Sequence, residues 1–137
     1  MRPSDATPDT NPDANEALQF PDIEIYLKRP ALAQITDWLS DRFGISGVHN
    51  RAEATLYTLV APALECVVVE NAVKGGFTSV WFRSGKMPWA TDLDCAREAF
   101  TRFGLEVRCS SGPWQEGDDD APWIRLTDAG ESRVNWF

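Results

Sequence analysis

Histidine is almost absent from this sequence of 137 residues, which contains only His49. A serine or cysteine nucleophile activated by histidine would therefore depend on that one side chain. His49 lies within residues 45–53, where nearby glycine and asparagine are typical of a surface loop and a short strand around Val48 is the alternative. Nothing in the sequence marks Cys66 or Cys109 as an activated thiol. The sequence thus predicts no catalytic residues, although it does not decide whether the protein is an enzyme.

Cysteine is also scarce, and the three cysteines Cys66, Cys95 and Cys109 are not spaced as metal ligands. Each lies among apolar residues, which predicts small buried side chains and a reducing, cytoplasmic setting. The acidic run at 118–120 lacks the glycine and glutamate positions of a calcium loop. The glycine pair at 75–76 precedes a strand rather than a helix, so it cannot hold a phosphate at a helix N-terminus. We therefore predict neither a metal site nor a cofactor.

Long apolar runs are missing as well. No segment approaches the roughly 20 consecutive apolar residues that a membrane-spanning helix needs. The first residues also lack the pattern of a secretory leader. Both absences predict a cytoplasmic protein without a membrane partner.

Basic residues are fewer than acidic residues: the sequence contains 13 lysines and arginines and 21 aspartates and glutamates, which gives a net charge of −8. Such a chain repels the phosphate backbone, so we predict no nucleic-acid partner, and an acidic mimic of nucleic acid is a distant alternative. Residues 1–20 are rich in proline, aspartate, asparagine and threonine and hold too few apolar residues to fold. The sequence predicts a disordered acidic tail over 1–20 and a single domain over 21–137.

A strand–helix–strand pattern covers residues 77–109. Residues 79–83 are aromatic and β-branched, as suits a strand. Thr91 is a suitable helix cap, because its hydroxyl can accept from the backbone N–H three residues later. Gly104 supplies the left-handed end of that helix. Residues 105–109 then alternate in polarity as a second strand.

A similar pattern precedes this unit. Residues 23–28 alternate as a strand, Pro30 suits the first turn of a helix, and Gly44 ends that helix. Both predicted helices close with the tripeptide Arg-Phe-Gly, at 42–44 and 102–104. We therefore expect an α+β domain of two strand–helix–strand(–strand) halves. Its mostly antiparallel sheet would carry both helices on one face.

The strand alternation also predicts what lies on the other face of the sheet. If the helices cover the apolar side, a different set of residues must point to the opposite face, called the open face below. That set includes tryptophan, tyrosine and arginine, which are enriched at binding hot spots. The candidate binding residues are Tyr26, Trp81, Arg83, Arg108, Trp123 and Arg125. Trp89 and Trp114, on adjacent loops, are candidates for the rim of this site, and the alternative is that they cap the edge of the core. A ladder of cross-strand pairs that satisfy one another is the alternative interpretation.

Residues 81–114 resemble, in their general pattern, small bacterial proteins of unknown function, which implies a cytoplasmic single-domain protein and no particular activity. The second half of the chain also resembles a repeat of the vicinal oxygen chelate superfamily (glyoxalase and bleomycin-resistance proteins). The matching segments are residues 91–94, 102–107 and 127–130. That family places its site on the sheet face away from the helices, and its metal enzymes use histidine and glutamate ligands on strands. The strand positions here hold Trp81, Arg83 and Trp123, so the resemblance implies a metal-free binding protein.

Two functional hypotheses follow from these patterns. In the first, the protein is an interaction domain whose open face binds a protein partner or a second copy of itself, as a homodimer. In the second, the same face binds a small anionic or aromatic molecule, with or without turnover.

Overall fold

A computed structural model describes residues 21–111 and 123–135 of the chain. Within these residues the chain forms two α-helices and eight β-strands, and the strands pair antiparallel in one open sheet. The predicted tail over 1–20, and the loop that carries Trp114 and residues 118–120, lie outside the described residues.

The strands, in chain order, are β1 (Ile23–Lys28), β2 (Ile45–Arg51), β3 (Ala54–Leu59), β4 (Glu65–Val73), β5 (Phe77–Phe82), β6 (Val107–Ser110), β7 (Trp123–Thr127) and β8 (Gly130–Val134). Helix α1 (Leu32–Phe43) follows β1, and helix α2 (Asp92–Phe103) follows β5. In the sheet the order is β2-β3-β4-β5-β1-β6-β7-β8, so β2 and β8 are its edges. The α+β class and the antiparallel sheet are therefore as the sequence predicts.

Helix α2 begins and ends where the sequence predicts. The Thr91 hydroxyl accepts a hydrogen bond from the Asp94 N–H at 3.3 Å, and Asp92 and Asp94 lie in the first turn, where the helix dipole favours negative charge. Gly104 adopts the left-handed conformation with φ of 67°, and its N–H donates to the Phe100 carbonyl. Only glycine reaches that backbone conformation without steric cost.

Helix α1 begins later than Pro30 suggests. The first helical residue is Leu32, and Ala31 takes the cap position with an extended backbone. The Ala31 N–H donates to the Gln34 side chain at 2.9 Å, which satisfies a backbone donor that would otherwise lack a partner at the helix start. Pro30 therefore precedes the helix instead of forming its first turn.

His49 lies in strand β2, so the alternative of a strand around Val48 is correct and the predicted loop is not. β2 pairs with β3, with His49 opposite Leu56, and one irregularity separates Ile45 from Gly47. The hydrogen bonds of this ladder hold glycine and asparagine extended against their own weak strand propensity. The His49 side chain is exposed, so its surface position agrees with the sequence while its local structure does not.

The two helical connections cross the sheet differently. Helix α1 joins β1 to β2, and β5, β4 and β3 lie between those strands. Helix α2 joins β5 to β6, with β1 alone between them. The strand order therefore makes the two predicted halves inequivalent, because β1 from the first half inserts between two strands of the second.

The hydrophobic core contains residues of the sheet and of both helices. In β1, Ile23, Ile25 and Leu27 are fully buried, whereas the residues between them are half-buried. Trp38 from α1 and Ala96 from α2 belong to the same core. The alternation of β1 that the sequence predicts is therefore confirmed, because its apolar residues lie in the core.

The three cysteines are free and buried in this core, as the sequence predicts. Burial raises the pKa of Cys109 to about 12, and it also raises the pKa of Cys66 and of Cys95 above the ordinary value. A thiol that stays protonated is a poor nucleophile. These cysteines therefore act as small apolar side chains.

Candidate functional site

The pairing of the central strands brings most of the predicted binding residues onto one face of the sheet. Tyr26 of β1 lies opposite Arg108 of β6, and Arg108 lies opposite Arg125 of β7. Trp81 of β5 lies opposite Glu24, two residues before Tyr26 on β1. Directly paired residues of antiparallel strands point to the same side. The open face is therefore a continuous surface that crosses at least four strands.

A cluster of three cations surrounds one carboxylate on this face. Glu106 Oε2 lies 2.8 Å from Arg108 Nε and 3.3 Å from Arg125 Nε, and Glu106 Oε1 lies 3.9 Å from Lys28 Nζ. We call Lys28, Arg108 and Arg125 the cationic cluster. Among the described residues, Glu106 is the carboxylate that these three cations contact, on a protein whose net charge is −8.

Burial differs among the members of the cationic cluster. The side chains of Glu106 and Arg108 are 13% and 17% exposed, and the Arg108 guanidinium also lies 4.8 Å from the centre of the Phe77 ring. The side chains of Arg125 and Lys28 are 42% and 40% exposed. The Arg125 Nε atom is itself buried, and its contact with Glu106 is electrostatic, without hydrogen-bond geometry. Arg108 is thus held in place, while Arg125 and Lys28 present charge to solvent.

The other end of β1 on this face is acidic. Trp81 Nε1 donates to Asp22 Oδ2 at 2.8 Å, and the Ser79 hydroxyl donates to Glu24 Oε2 at 2.7 Å. The Arg83 guanidinium lies 5.2 Å from the Trp81 ring centre and pairs with Glu65 at 2.8 Å. The open face is therefore polar along β1, with negative charge near its first residue and positive charge near its last.

Tyr26 and Trp123 join the two ends of the face. Their rings meet edge to face, with centroids 5.8 Å apart. Burial raises the pKa of Tyr26 to about 12, and the charge and hydrogen bond of Glu24 act in the same direction. The Tyr26 hydroxyl therefore stays protonated at neutral pH. These contacts show that part of the predicted surface is satisfied by cross-strand pairs, as the alternative interpretation proposes.

An apolar strip adjoins Trp81 on the same face, and the sequence did not reveal it. Val67 of β4 lies opposite Trp81 and also opposite Leu56 of β3, and Val69 lies opposite Ser79. Leu56, Val67 and Val69, called the apolar strip below, are half-buried. Because β4 is apolar on both faces, alternation alone could not assign a side to these valines.

Trp89 does not lie at the rim of the open face. It is 5% exposed and packs against Phe82 and Trp38 in the core, with ring centroids 5.1 and 5.9 Å away. Its Nε1 donates to Glu98 Oε1 at 3.0 Å. The loop that carries Trp89 thus folds towards the helices, because a buried indole N–H needs an acceptor and Glu98 supplies one. Trp114, the other predicted rim residue, lies outside the described residues.

Glu98 joins the two helices beneath a surface groove. Its Oε2 accepts from Trp38 Nε1 at 3.1 Å and from Arg42 Nε at 3.0 Å. Burial alone raises the pKa of Glu98, but the hydrogen bonds from Arg42, Trp89 and Trp38 outweigh it and hold that pKa below its ordinary value. The groove, of about 570 Å³, is lined by Trp38, Asp41, Arg42, Glu98, Thr101 and Arg102. Since these donors already occupy both carboxylate oxygens, Glu98 has a structural role.

Asp92 is a buried carboxyl group whose position the sequence only partly explains. It lies in the first turn of α2 and is 8% exposed. Its Oδ1 accepts from the Glu24 N–H of β1 at 3.1 Å. Burial raises the pKa of Asp92 to about 7, the Glu24 N–H opposes this shift, and the charges of Asp22 and Glu24 add to it. Asp92 therefore links α2 to the acidic end of the open face.

The described residues contain no group of three or more histidine, cysteine, aspartate or glutamate side chains that could hold a metal ion. Neither of their helices is long and apolar enough to span a bilayer. No protein-family model, curated protein or solved structure matches the chain.

Proposed function

We propose that the protein is a binding module whose open face recognises an acidic segment of a protein partner. The observation that carries this proposal is the cationic cluster, in which Lys28, Arg108 and Arg125 all contact the carboxylate of Glu106 within the described part of the chain. Positive charge that is concentrated on an otherwise acidic protein favours a negatively charged partner at this place.

The proposal requires that both helices cover the sheet face opposite the cationic cluster. Contacts between the helices support this arrangement. Trp38 of α1 meets Phe103 of α2 edge to face at 5.4 Å, and Arg102 of α2 pairs with Asp41 of α1 at 2.8 Å. Helices that touch each other and share one core leave the other side of the sheet available for a partner.

Arg125 and Lys28 are the residues best placed to receive the carboxylates of a partner. Arg125 reaches Glu106 only through Nε, and its terminal nitrogens make no hydrogen bond with the described residues. Lys28 Nζ is 3.9 Å from Glu106, the outer limit of an ion pair. Arginine binds a carboxylate with two parallel hydrogen bonds. The apolar strip and Trp81 would receive apolar side chains of the same partner.

The contacts on this face also suit a small anionic or aromatic ligand, because rings and guanidiniums lie together there. The edge-to-face contact of Tyr26 and Trp123 favours this second candidate. The cavities between the helices and beside β7 and β8 lie elsewhere. A protein segment can contact the cationic cluster and the apolar strip at once, whereas a small molecule usually binds in one concave site.

Fluorescence anisotropy with a labelled peptide that alternates glutamate pairs and phenylalanine tests the proposal. The double variant Lys28→Ala/Arg125→Ala should weaken binding by about tenfold or more, and should reduce its dependence on salt. The matched control is Arg102→Ala, which removes a cation on the helices. Equal affinities of the double variant and the wild type, or equal binding of a peptide with lysine in place of glutamate, would contradict the proposal.

Self-association is separated from partner binding by light scattering behind a sizing column. A monomer that binds the acidic peptide supports the proposal. A dimer that dissociates in Trp81→Ala or Trp123→Ala would instead assign the open face to a second copy of the chain.

A further inference from the structure

Strand β2 is an unprotected edge of the sheet. It pairs with β3, and among the described residues no strand lies on its other side. β2 has 7 residues, against 5 in the opposite edge strand β8. Edge strands are usually protected by short length, proline or charge, because their free N–H and C=O groups can pair with another strand.

The two edges differ in charge. β8 contains Glu131 and Arg133, and the Glu131 carboxylate is held by Arg97 through contacts of 2.7 and 3.0 Å. β2 contains no carboxylate, and Arg51 is its only charged side chain apart from the titratable His49. β8 is therefore protected by its shortness and by its charged residues. The protection of β2 is limited to one irregularity in its pairing, between Ile45 and Gly47.

The side chains of β2 also divide cleanly between the two faces. Val48 lies opposite the buried Tyr57, on the side of the core, and remains 56% exposed. His49 and Arg51 lie opposite Leu56 and Ala54, on the side of the open face. An incoming strand would therefore meet an apolar β-branched residue on one side and two hydrogen-bond donors on the other.

We propose that β2 accepts an extended acidic peptide as a ninth strand of the sheet. The acidic side chains of this peptide lie beside His49 and Arg51, and its β-branched side chains lie beside Val48. Backbone hydrogen bonds supply the attachment, and the alternating side chains supply the selectivity. This inference goes beyond the proposed function, because it uses a sheet edge that is distant in strand order from the cationic cluster.

An acidic peptide suits this edge better than a second copy of the chain. Two β2 strands paired antiparallel about their centres would place His49 and Arg51 of both copies on one face, without a carboxylate between them. A peptide that brings its own carboxylates avoids this conflict and neutralises Arg51.

The test uses a labelled peptide of alternating valine and glutamate, equal in length to β2, and measures fluorescence anisotropy with the full chain. Two further peptides carry N-methyl groups on all valine amides or on all glutamate amides. Since a strand uses the amides of alternate residues on each edge, one methylated peptide should bind like the parent and the other should lose binding by about tenfold or more.

Variants locate the bound peptide. Arg51→Glu should weaken binding about tenfold or more, and the matched reversal Arg133→Glu on β8 should not. Both comparisons are made in the Lys28→Ala/Arg125→Ala variant, so that binding of the acidic peptide to the open face does not contribute to the signal. Equal binding of both methylated peptides, an unchanged affinity in Arg51→Glu, or a dimer that the peptide cannot dissociate would overturn the inference.

Discussion

Arg108 and Arg125 lie directly opposite each other on neighbouring strands, and both direct Nε towards the same oxygen of Glu106, at 2.8 and 3.3 Å. Like charges in opposed positions of a sheet repel. The half-buried carboxylate of Glu106 is therefore what allows the two guanidiniums to share this part of the open face. The arrangement concentrates cations around Glu106, the anion that the described residues supply there.

Replacing Glu106 should therefore destabilise the fold. Glu106→Gln removes the negative charge that lies 2.8 Å from Arg108, whose side chain is 17% exposed, and so increases its repulsion of Arg125. We expect a loss of about 1–3 kcal/mol in the free energy of unfolding. The measurement is urea denaturation followed by tryptophan fluorescence. Glu65→Gln, which breaks the exposed pair with Arg83, is the control and should cost less than about 1 kcal/mol. Equal losses in the two variants would show that Glu106 has no special role.

Asp92 should make the stability of the protein depend on pH. Its pKa is about 7 in the folded chain and 3.8 for an ordinary aspartate. The folded state therefore holds a proton that the unfolded state releases, and stability falls as pH rises from about 4 to about 7. At about 1.4 kcal/mol per pKa unit, the upper limit of this loss is about 4 kcal/mol.

The variant Asp92→Asn removes this dependence and keeps the oxygen that accepts from the Glu24 N–H. Asp92→Asn should be more stable than the wild type at about pH 8. The difference should shrink towards about pH 4, where the wild-type carboxyl is protonated in the folded state. Thermal unfolding over that pH range is the measurement. Asp94→Asn, an exposed aspartate in the same helical turn, is the control. A pH profile for Asp92→Asn that parallels the wild type would contradict the assignment.

Glu98 should contribute to stability through the two indoles that it binds. Trp38 and Trp89 are 2% and 5% exposed, and Glu98→Ala would leave both of their N–H groups without this acceptor. We expect a loss of about 2–4 kcal/mol, because each buried donor without a partner costs about 1–3 kcal/mol. Chemical denaturation measures this loss. Asp41→Ala, which breaks the exposed pair with Arg102, should cost less than about 1 kcal/mol, and a similar cost for both variants would rule out the proposed role of Glu98.

Features that depend on neighbours in sequence could be predicted from the residues alone. The cap at Thr91 and the left-handed Gly104 involve contacts within one turn of α2, and the alternation of β1 records which of its faces is buried. The same alternation placed Tyr26, Trp81, Arg108 and Arg125 on one surface. Local propensity and burial favour the same structure at these positions, so the sequence pattern was sufficient to predict it.

Features that depend on the order of the strands could not be predicted. The apolar strip lies beside Trp81 only because β4 pairs with β5, and His49 is in a strand only because β3 holds β2 extended. Trp89 turns towards Glu98, which is contributed by α2 and also bound by Trp38 of α1. These contacts join residues that are distant in sequence, and no single segment carries their pattern.

The most direct test of the open face uses the indole N–H signals of the tryptophans in a ¹⁵N–¹H correlation spectrum, assigned by tryptophan-to-phenylalanine variants. Trp81 and Trp123 lie on the open face, whereas Trp38 and Trp89 are buried beside the helices. On addition of the acidic peptide of glutamate pairs and phenylalanine, we predict that the signals of Trp81 and Trp123 shift and that those of Trp38 and Trp89 do not. Shifts confined to Trp38 and Trp89, or no shift at saturating peptide, would contradict a binding function of the open face.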